Sequence, residues 1–282
     1  MKNQWNIFRS AVMFLTRLPV GKNLPYSPGL LQQTPQYFPL VGIMVGFVVW
    51  VAFVLAHLLF NQGISIAISM VAGILCTGAF HEDGFADTCD AFGGGWSKTQ
   101  ILTIMKDSRL GTYGVVGIMG MLGMKFLLLQ ALLPNYELFP FSFACLLPNA
   151  NPSFWLLYGP CFCLLLASHA VSRLAAISII QRYEYVSDTA SGAKSKPLAS
   201  TPLQPWAFGF AVGCALLPFL GLPYFYVLAL LPVAFITILL ARYFHRWIGG
   251  YTGDCLGATQ QVAEVVFYAA VIVLKGFAIY FY

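Results

Sequence analysis

Four carboxylates fall within nine residues at the end of an apolar run, in FHEDGFADTCDAFGGG (Phe80–Gly95). On a helix, Asp83, Asp87 and Asp90 follow an i, i+4, i+7 spacing, so at about 100° per residue they lie within about 60° of one another. They form one acidic stripe roughly 10 Å long, flanked by His81 and Thr88, while Glu82 points elsewhere. Like charges one turn apart destabilise a helix, and three of them beside apolar sequence call for a compensating cation. Carboxylates, water and a substrate phosphate together make a usual Mg²⁺ environment, and carboxylates one turn apart suit a pair of ions. The plain alternative is an acidic cap dissolved in water. Gly93, Gly94 and Gly95 follow, and glycine permits close backbone approach to a phosphate. A simple loop accounts for the glycines equally well.

Two further polar stretches abut apolar runs. MKDSRLGTYG (Met105–Gly114) gathers Lys106, Asp107, Ser108, Arg109, Thr112 and Tyr113. An Asp among cations suits a phosphate clamp beside a metal ligand, although flanking charge at a membrane face explains it too. GGYTGDCLGA (Gly249–Ala258) sets Thr252 and Asp254 among four glycines, and a turn with an N-cap Asp is the simpler reading. Arg173, in HAVSR, stands about one turn from the end of an apolar run and is placed to face the acidic stripe. Glu264 is a candidate supporting carboxylate. Lys275 and Lys125 suit snorkelling to an interface. His57 reads as an interfacial or satisfied histidine, and His245 with Arg246 as a basic flank. Carboxylates with Mg²⁺, basic residues and glycines point to phosphoryl-type transfer, in which metal neutralises a diphosphate and an Asp takes a proton from the attacking hydroxyl.

These residues sit in a chain of 282 residues that is 59% hydrophobic and only 9% charged, against about 25% charged in soluble domains. The composition excludes an ordinary soluble globule and implies an all-α, polytopic transmembrane helical bundle, a single integral membrane domain over 1–282. Runs long enough to span, about 20 residues each, fall near 38–60, 63–80, 110–133, 153–178, 206–221, 224–243 and 262–281, seven in all with six to eight allowed by Pro218 and Pro223. Trp5, Ile7, Phe8, Val12 and Leu15 share one face of a short N-terminal helix suited to the membrane interface. Lys and Arg alternate between connections: Lys2, Arg9, Arg17 and Lys22 before the first run, Lys98, Lys106 and Arg109 in 81–109, Arg182, Lys194 and Lys196 in 179–205, Arg242 and Arg246 near 244–261. The links 61–62, 134–152 and 222–223 hold none. The positive-inside rule then puts the N-terminus and the polar connections in the cytoplasm, with an outer C-terminus for seven spans. The net charge of +5 is accounted for without nucleic acid. Seven cysteines (76, 89, 145, 161, 163, 214, 255), mostly in apolar runs, read as small buried residues with no disulfide framework or zinc site.

The motifs HEDGFADTCDAFGGG, MKDSRLGTYG, AVSR and GGYTGDCLGA with Glu264 beyond, together with FLTRLPVG and FPLVG nearer the start, resemble the cobalamin synthase (adenosylcobinamide-GDP ribazoletransferase) family in order from about residue 8 to 265. The family's pattern often has Leu where Glu82 stands, which counts against a metal role for Glu82. The resemblance implies a multi-pass inner-membrane enzyme that requires Mg²⁺. Such an enzyme joins adenosylcobinamide-GDP to α-ribazole or its 5′-phosphate and releases GMP, completing the lower nucleotide loop of adenosylcobalamin. It implies Asp83, Asp87, Asp90 and Asp254 as metal ligands, with Asp83, Asp87, Asp90 and Asp107 as the catalytic carboxylates. Substrate and phosphate contacts fall to His81, Gly94, Lys106, Ser108, Arg109, Thr112, Arg173 and Thr252, within cytoplasmic segments 81–113, 173–200 and 245–264. The lipid bilayer, a second copy of the chain and enzymes of the cobalamin pathway are the further partners it allows. DGFAD also looks like a fragment of the CDP-alcohol phosphotransferase signature, but that signature wants Arg where Asp87 stands. A cation or proton transporter is the alternative of another class, and its ionisable residues belong nearer the membrane midplane.

Overall fold

The computed structural model describes residues 2–21, 28–133, 152–186 and 200–281. Lys22, Cys145 and residues 187–199 of the expected site segment, Lys194 and Lys196 among them, lie outside the described residues. In order along the chain are α1 (Lys2–Leu15), α2 (Pro28–Leu31), a 3-10 turn (Thr34–Tyr37), α3 (Phe38–His57), α4 (Gln62–Thr77), α5 (Phe80–Gly94), α6 (Lys98–Met105), α7 (Thr112–Leu132), α8 (Pro152–Ile180), α9 (Pro205–Leu216), 3-10 stretches over Leu217–Gly221 and Tyr224–Ala229, α10 (Leu230–Ile248) and α11 (Gly253–Phe281). Among the described residues the one strand-like pairing is an isolated bridge between Tyr185 and Tyr251. The fold is all-α and polytopic, as the composition implies.

Seven spans are expected, with six to eight allowed, and the described residues hold five or six. Five described helical stretches are long and apolar enough to cross a membrane: Gly29–His57, Thr112–Leu132, Tyr158–Ile180, Tyr224–Ile248 and Gly253–Phe277. Counting the bent pair α4–α5 as one makes six. Expected span 63–80 stops at Thr77, because Gly78 (φ 68) and Ala79 (φ 60) are left-handed and the chain turns by 89° into α5. Glycine adopts that conformation freely, whereas Ala79 bears the strain of a Cβ there. A charge at the bilayer centre costs about 2.5–3.5 kcal/mol on insertion scales, so the four carboxylates of α5 suit the end of the apolar α4 rather than a place within a crossing. Expected span 206–221 is α9, whose 12 residues cover only about 18 Å. Pro218 has no N–H and disfavours helical backbone before it. The chain continues as a 3-10 stretch that carries Phe219 to the ring of Phe267, 6.0 Å away.

α8 is the axis of the bundle. It packs on α3, α9, α10 and α11 and is buried along most of its length. Its closest partner is α3, because Gly42 and Gly46 bring the two backbones together. A Cβ on Gly46 would sit 2.8 Å from the Leu165 carbonyl oxygen, and one on Gly42 would strike the His169 carbonyl. Two apolar clusters result. One holds Phe53, Leu164, Tyr226 and Phe267, the other Val41, Ile177, Phe244 and Ile248. Along α8 and α11 a belt of buried polar residues lies between them, namely Ser168, His169, Ser172 and Arg173 on α8 and Gln260, Gln261 and Glu264 on α11.

α1 docks on the second cluster through Ala11, Val12 and Leu15, whereas Trp5 is 60% exposed and stands off the buried face. Arg9 donates to the Val20 carbonyl at 2.8 and 2.6 Å, and Arg17 N–H donates to Cys76 O at 2.8 Å. The polar connections thereby meet at one end of the bundle. There Tyr251 N–H donates to Glu184 O at 3.1 Å, and the Tyr183 ring meets that of His245 at 5.2 Å, tilted by 50°. The six described cysteines are free thiols.

The α3–α8 approach leaves no room for a methyl group at Gly42, while a Cβ on Gly123 of α7 meets nothing within 4 Å. Gly42→Ala is therefore expected to lower stability by about 1–3 kcal/mol and Gly123→Ala to leave it unchanged or raise it, read as melting temperatures of the two variants in detergent.

Candidate functional site

α5 forms where the sequence places it, and its stripe is graded. Asp83 is exposed, Asp87 half-buried and Asp90 buried. The grading comes from α7, which crosses the far end of α5 on small residues. The Asp90 carboxylate accepts the backbone N–H of Gly111 at 2.7 Å and of Gly114 at 2.8 Å. Gly111 is the N-cap position of α7 and has no side chain to cap it, so a carboxylate from another helix satisfies two of the orphan donors there. A Cβ on Gly111 or Gly114 would strike that carboxylate, and one on Gly117 would lie 2.6 Å from Cys89 Sγ. Both oxygens of Asp90 thus hold a helix in place, a role the spacing alone does not announce.

Asp254 reaches the stripe through a second close crossing. A Cβ on Gly84 of α5 would lie 3.0 Å from Asp254 Cα, and one on Gly257 of α11 would lie 3.3 Å from His81 O. The start of α11 is held by Thr252, whose hydroxyl accepts Cys255 N–H at 3.3 Å. Asp87 consequently sits in the field of three like charges. Its carboxyl is pushed up to about 6, first by burial and then by Asp83, Asp254 and Asp90. This ledge of Asp83, Asp87 and Asp254 is negative, open on one side and short of counter-charge. Among the described residues no three His, Cys, Asp or Glu side chains enclose a metal position. Mg²⁺ needs no such cage, since it keeps several waters and takes one or two carboxylates with substrate phosphates, so the donor set fits that ion.

The MKDSRLGTYG residues line the exposed approach. Asp107 is engaged by Arg109 in a bidentate pair, with Nε donating at 3.0 and 3.1 Å and Nη2 at 2.6 Å, and these bonds hold the Asp107 carboxyl below its ordinary range. The pair is solvent-facing, with side chains 87% and 37% exposed. Lys106, Ser108, Thr112 and Gly94 are exposed as well. Thr252 is buried, and its hydroxyl lies 3.4 Å from Met105 Sδ.

His81 and Arg173 face inward instead. They join the polar belt, which α5 enters through Glu82. Gln261 Nε2 donates to Glu82 Oε1 at 2.9 Å, and Lys125 Nζ donates to Gln261 Oε1 at 2.8 Å. Lys125 also pairs with Glu264 at 3.3 Å, the side chains 8% and 3% exposed. Snorkelling of Lys125, expected from sequence, is thereby overturned: α7 turns this lysine into the bundle, where Glu264 offsets the cost of burying its charge. Glu264 further accepts Gln260 Nε2 at 2.8 Å, and Arg173 Nη1 donates to His169 O at 2.9 Å. Glu82 Oε2 and Arg173 Nε have no protein partner. Both side chains line a cavity of about 30 Å³, room for one or two waters. The sequence signals for this belt were an intramembrane lysine and the helical spacing of Gln260, Glu264 and Tyr268.

The family model for cobalamin-5-phosphate synthase matches residues 7–272. The chain is 38% identical to the adenosylcobinamide-GDP ribazoletransferase of Shewanella frigidimarina over 272 residues, 95% of each chain. It is 37% identical to the enzyme of that name from Vibrio parahaemolyticus over 281 residues, 96% of this chain and 94% of the relative. It is 35% identical to that from Leptospira interrogans over 280 residues, 97% of each. No solved structure matches the chain.

Removing one member of the buried Lys125–Glu264 pair strands the other charge. Lys125→Met or Glu264→Gln alone is expected to cost about 3–5 kcal/mol, and the double variant less than either single one. A double-mutant cycle of melting temperatures in detergent checks this, and additive losses would contradict the pairing.

Proposed function

This chain belongs to the cobalamin-5-phosphate synthase family and is a transferase of cobalamin assembly; from that premise we propose that it joins adenosylcobinamide-GDP to α-ribazole or its 5′-phosphate and releases GMP. The observation that carries the reading is the meeting of α5 and α11, which sets Asp254 beside Asp83 and Asp87 inside the matched span. In this reading a ribose hydroxyl of the ribazole that is free in both the nucleoside and its 5′-phosphate bonds through its oxygen to the phosphorus attached to cobinamide. The bond from that phosphorus to the bridging oxygen breaks, and GMP leaves with that oxygen. The proton of the attacking hydroxyl passes to a ledge carboxylate.

Asp83 and Asp254 would hold Mg²⁺, which when bound neutralises the diphosphate as its bridging bond breaks. Asp87, the most crowded carboxylate of the ledge, is the best-placed proton acceptor. Asp90 fixes the stripe from behind by holding α7. Lys106 and Arg109 are exposed on the approach and suit the phosphates, with Asp107 setting the Arg109 guanidinium. Gly94, Ser108 and Thr112 offer backbone and hydroxyl contacts on the same approach. His81, Arg173 and Thr252 act through position: the first two brace α5 and α8 from the interior, and Thr252 starts α11. The lysine and arginine distribution supports an orientation with the ledge and the N-terminus in the cytoplasm, which fits a multi-pass enzyme of a bacterial inner membrane.

Purified full-length protein incubated with adenosylcobinamide-GDP, α-ribazole and Mg²⁺ is expected to form cobalamin and GMP in equal amounts and to stop on addition of EDTA. Folded protein that yields neither would overturn the assignment. Asp83→Asn, Asp87→Asn and Asp254→Asn are each expected to lower turnover by roughly 10²-fold or more with little change in melting temperature. Asp90→Asn should lower both, since it also weakens a helix cap worth about 1–2 kcal/mol.

A further inference from the structure

α8 and α10 run side by side with their C-terminal ends together, the Tyr183 ring just past α8 lying 5.2 Å from that of His245 on α10, yet they do not close along their length. A groove of about 650 Å³ lies between them. Its floor is made of small or β-branched residues, including Ala175, Val233, Thr237 and Ala241, which is why the helices leave space. From Val171 to Ile179 the groove follows α8, and Arg182 lines it just past the helix end, a run of about 16 Å, close to half the thickness of a hydrocarbon core of about 30 Å. On α10 the neighbouring Leu231, Phe235 and Ile238 are exposed, so this side of the bundle presents apolar surface outward.

One end of the groove differs from the rest. Arg182 and Arg242 both line it, both are exposed, and among the described residues neither has a carboxylate within ion-pair distance. The groove therefore offers an apolar slot one leaflet deep that ends in two guanidinium groups. Guanidinium forks match phosphate geometry, and an apolar slot opening sideways from a membrane bundle takes an acyl chain rather than a soluble anion.

We propose that the α8–α10 groove is a binding site for an anionic phospholipid, with one acyl chain along the slot and the headgroup phosphate on Arg182 and Arg242. The site is separate from the acidic ledge and does not depend on the reaction assigned to it. The lipid fills space that the two helices leave open and ties α8 to α10 at the end from which α11 and Asp254 are reached.

The test is native mass spectrometry of the full-length protein in detergent, titrated with phosphatidylglycerol or with phosphatidylcholine. The parent protein is expected to retain phosphatidylglycerol in preference to phosphatidylcholine. Arg182→Gln with Arg242→Gln is expected to reduce phosphatidylglycerol retention about tenfold or more, from roughly the gain two basic residues give at an anionic surface. Lys98→Gln on α6, which removes a charge away from the groove, should leave retention as it was. Ala234→Phe places a ring in the groove from an exposed position on α10 and should reduce retention of both lipids. Equal retention of the two lipids by the parent, undiminished retention in the double arginine variant, or displacement by glycerol phosphate alone would overturn the proposal.

Discussion

The close crossing of α5 and α11 at Gly84 and Gly257 is the contact on which the rest of the molecule depends. Side chains larger than hydrogen at these positions would separate the two backbones and carry Asp254 away from Asp83 and Asp87. On the outer face of the same crossing lies the acidic ledge. On its inner face Glu82 meets Gln261 and connects α5 to the buried belt. One helix thus carries two polar faces with opposite requirements, an open one left short of counter-charge and a closed one almost fully paired.

The energetic logic follows from dielectric surroundings. Inside the bundle an isolated charge is expensive, so Lys125, Glu264, Gln260 and Gln261 occur as a bonded group, with a small cavity beside the atoms left over. At the end of the bundle water and ligands are available, so Asp83, Asp87 and Asp254 tolerate mutual repulsion that favours any cation arriving there. The rigid inner belt and the repelling outer ledge are complementary. A metal-dependent phosphoryl transfer needs ligands held still before the cation binds, and the belt holds α5 from behind while Asp90 clamps α7 to its far end.

A second consequence concerns backbone proximity. Gly42 and Gly46 on α3 and Gly111 and Gly114 against Asp90 occur where neighbours leave no room for a Cβ, and Gly84 and Gly257 between α5 and α11 where a Cβ would crowd the facing backbone. In membrane bundles, where lipid competes equally for apolar side chains, such small-residue contacts supply much of the packing. The groove between α8 and α10 is the converse: small residues there are not matched by a close partner, and space remains.

The membrane class, the helical fold and the three polar stretches were legible in the sequence, because composition, run length and helical spacing are local properties. So was the alignment of Asp83, Asp87 and Asp90, which depends only on the geometry of one helix. The family could be read from motifs that keep their order along the chain. What the sequence did not decide is which direction each polar face turns. Whether Lys125 escapes to an interface or pairs with Glu264, whether Asp90 is a free ligand or a cap for α7, and whether Arg173 faces the ledge or the interior depend on contacts between residues 20 to 180 positions apart. The count of spans was legible only to within one or two for a related reason: Gly78, Ala79 and Pro218 break apolar runs whose hydropathy alone is continuous. Charge pairing and backbone contact are properties of helices placed against one another, and only the tertiary structure fixes that placement.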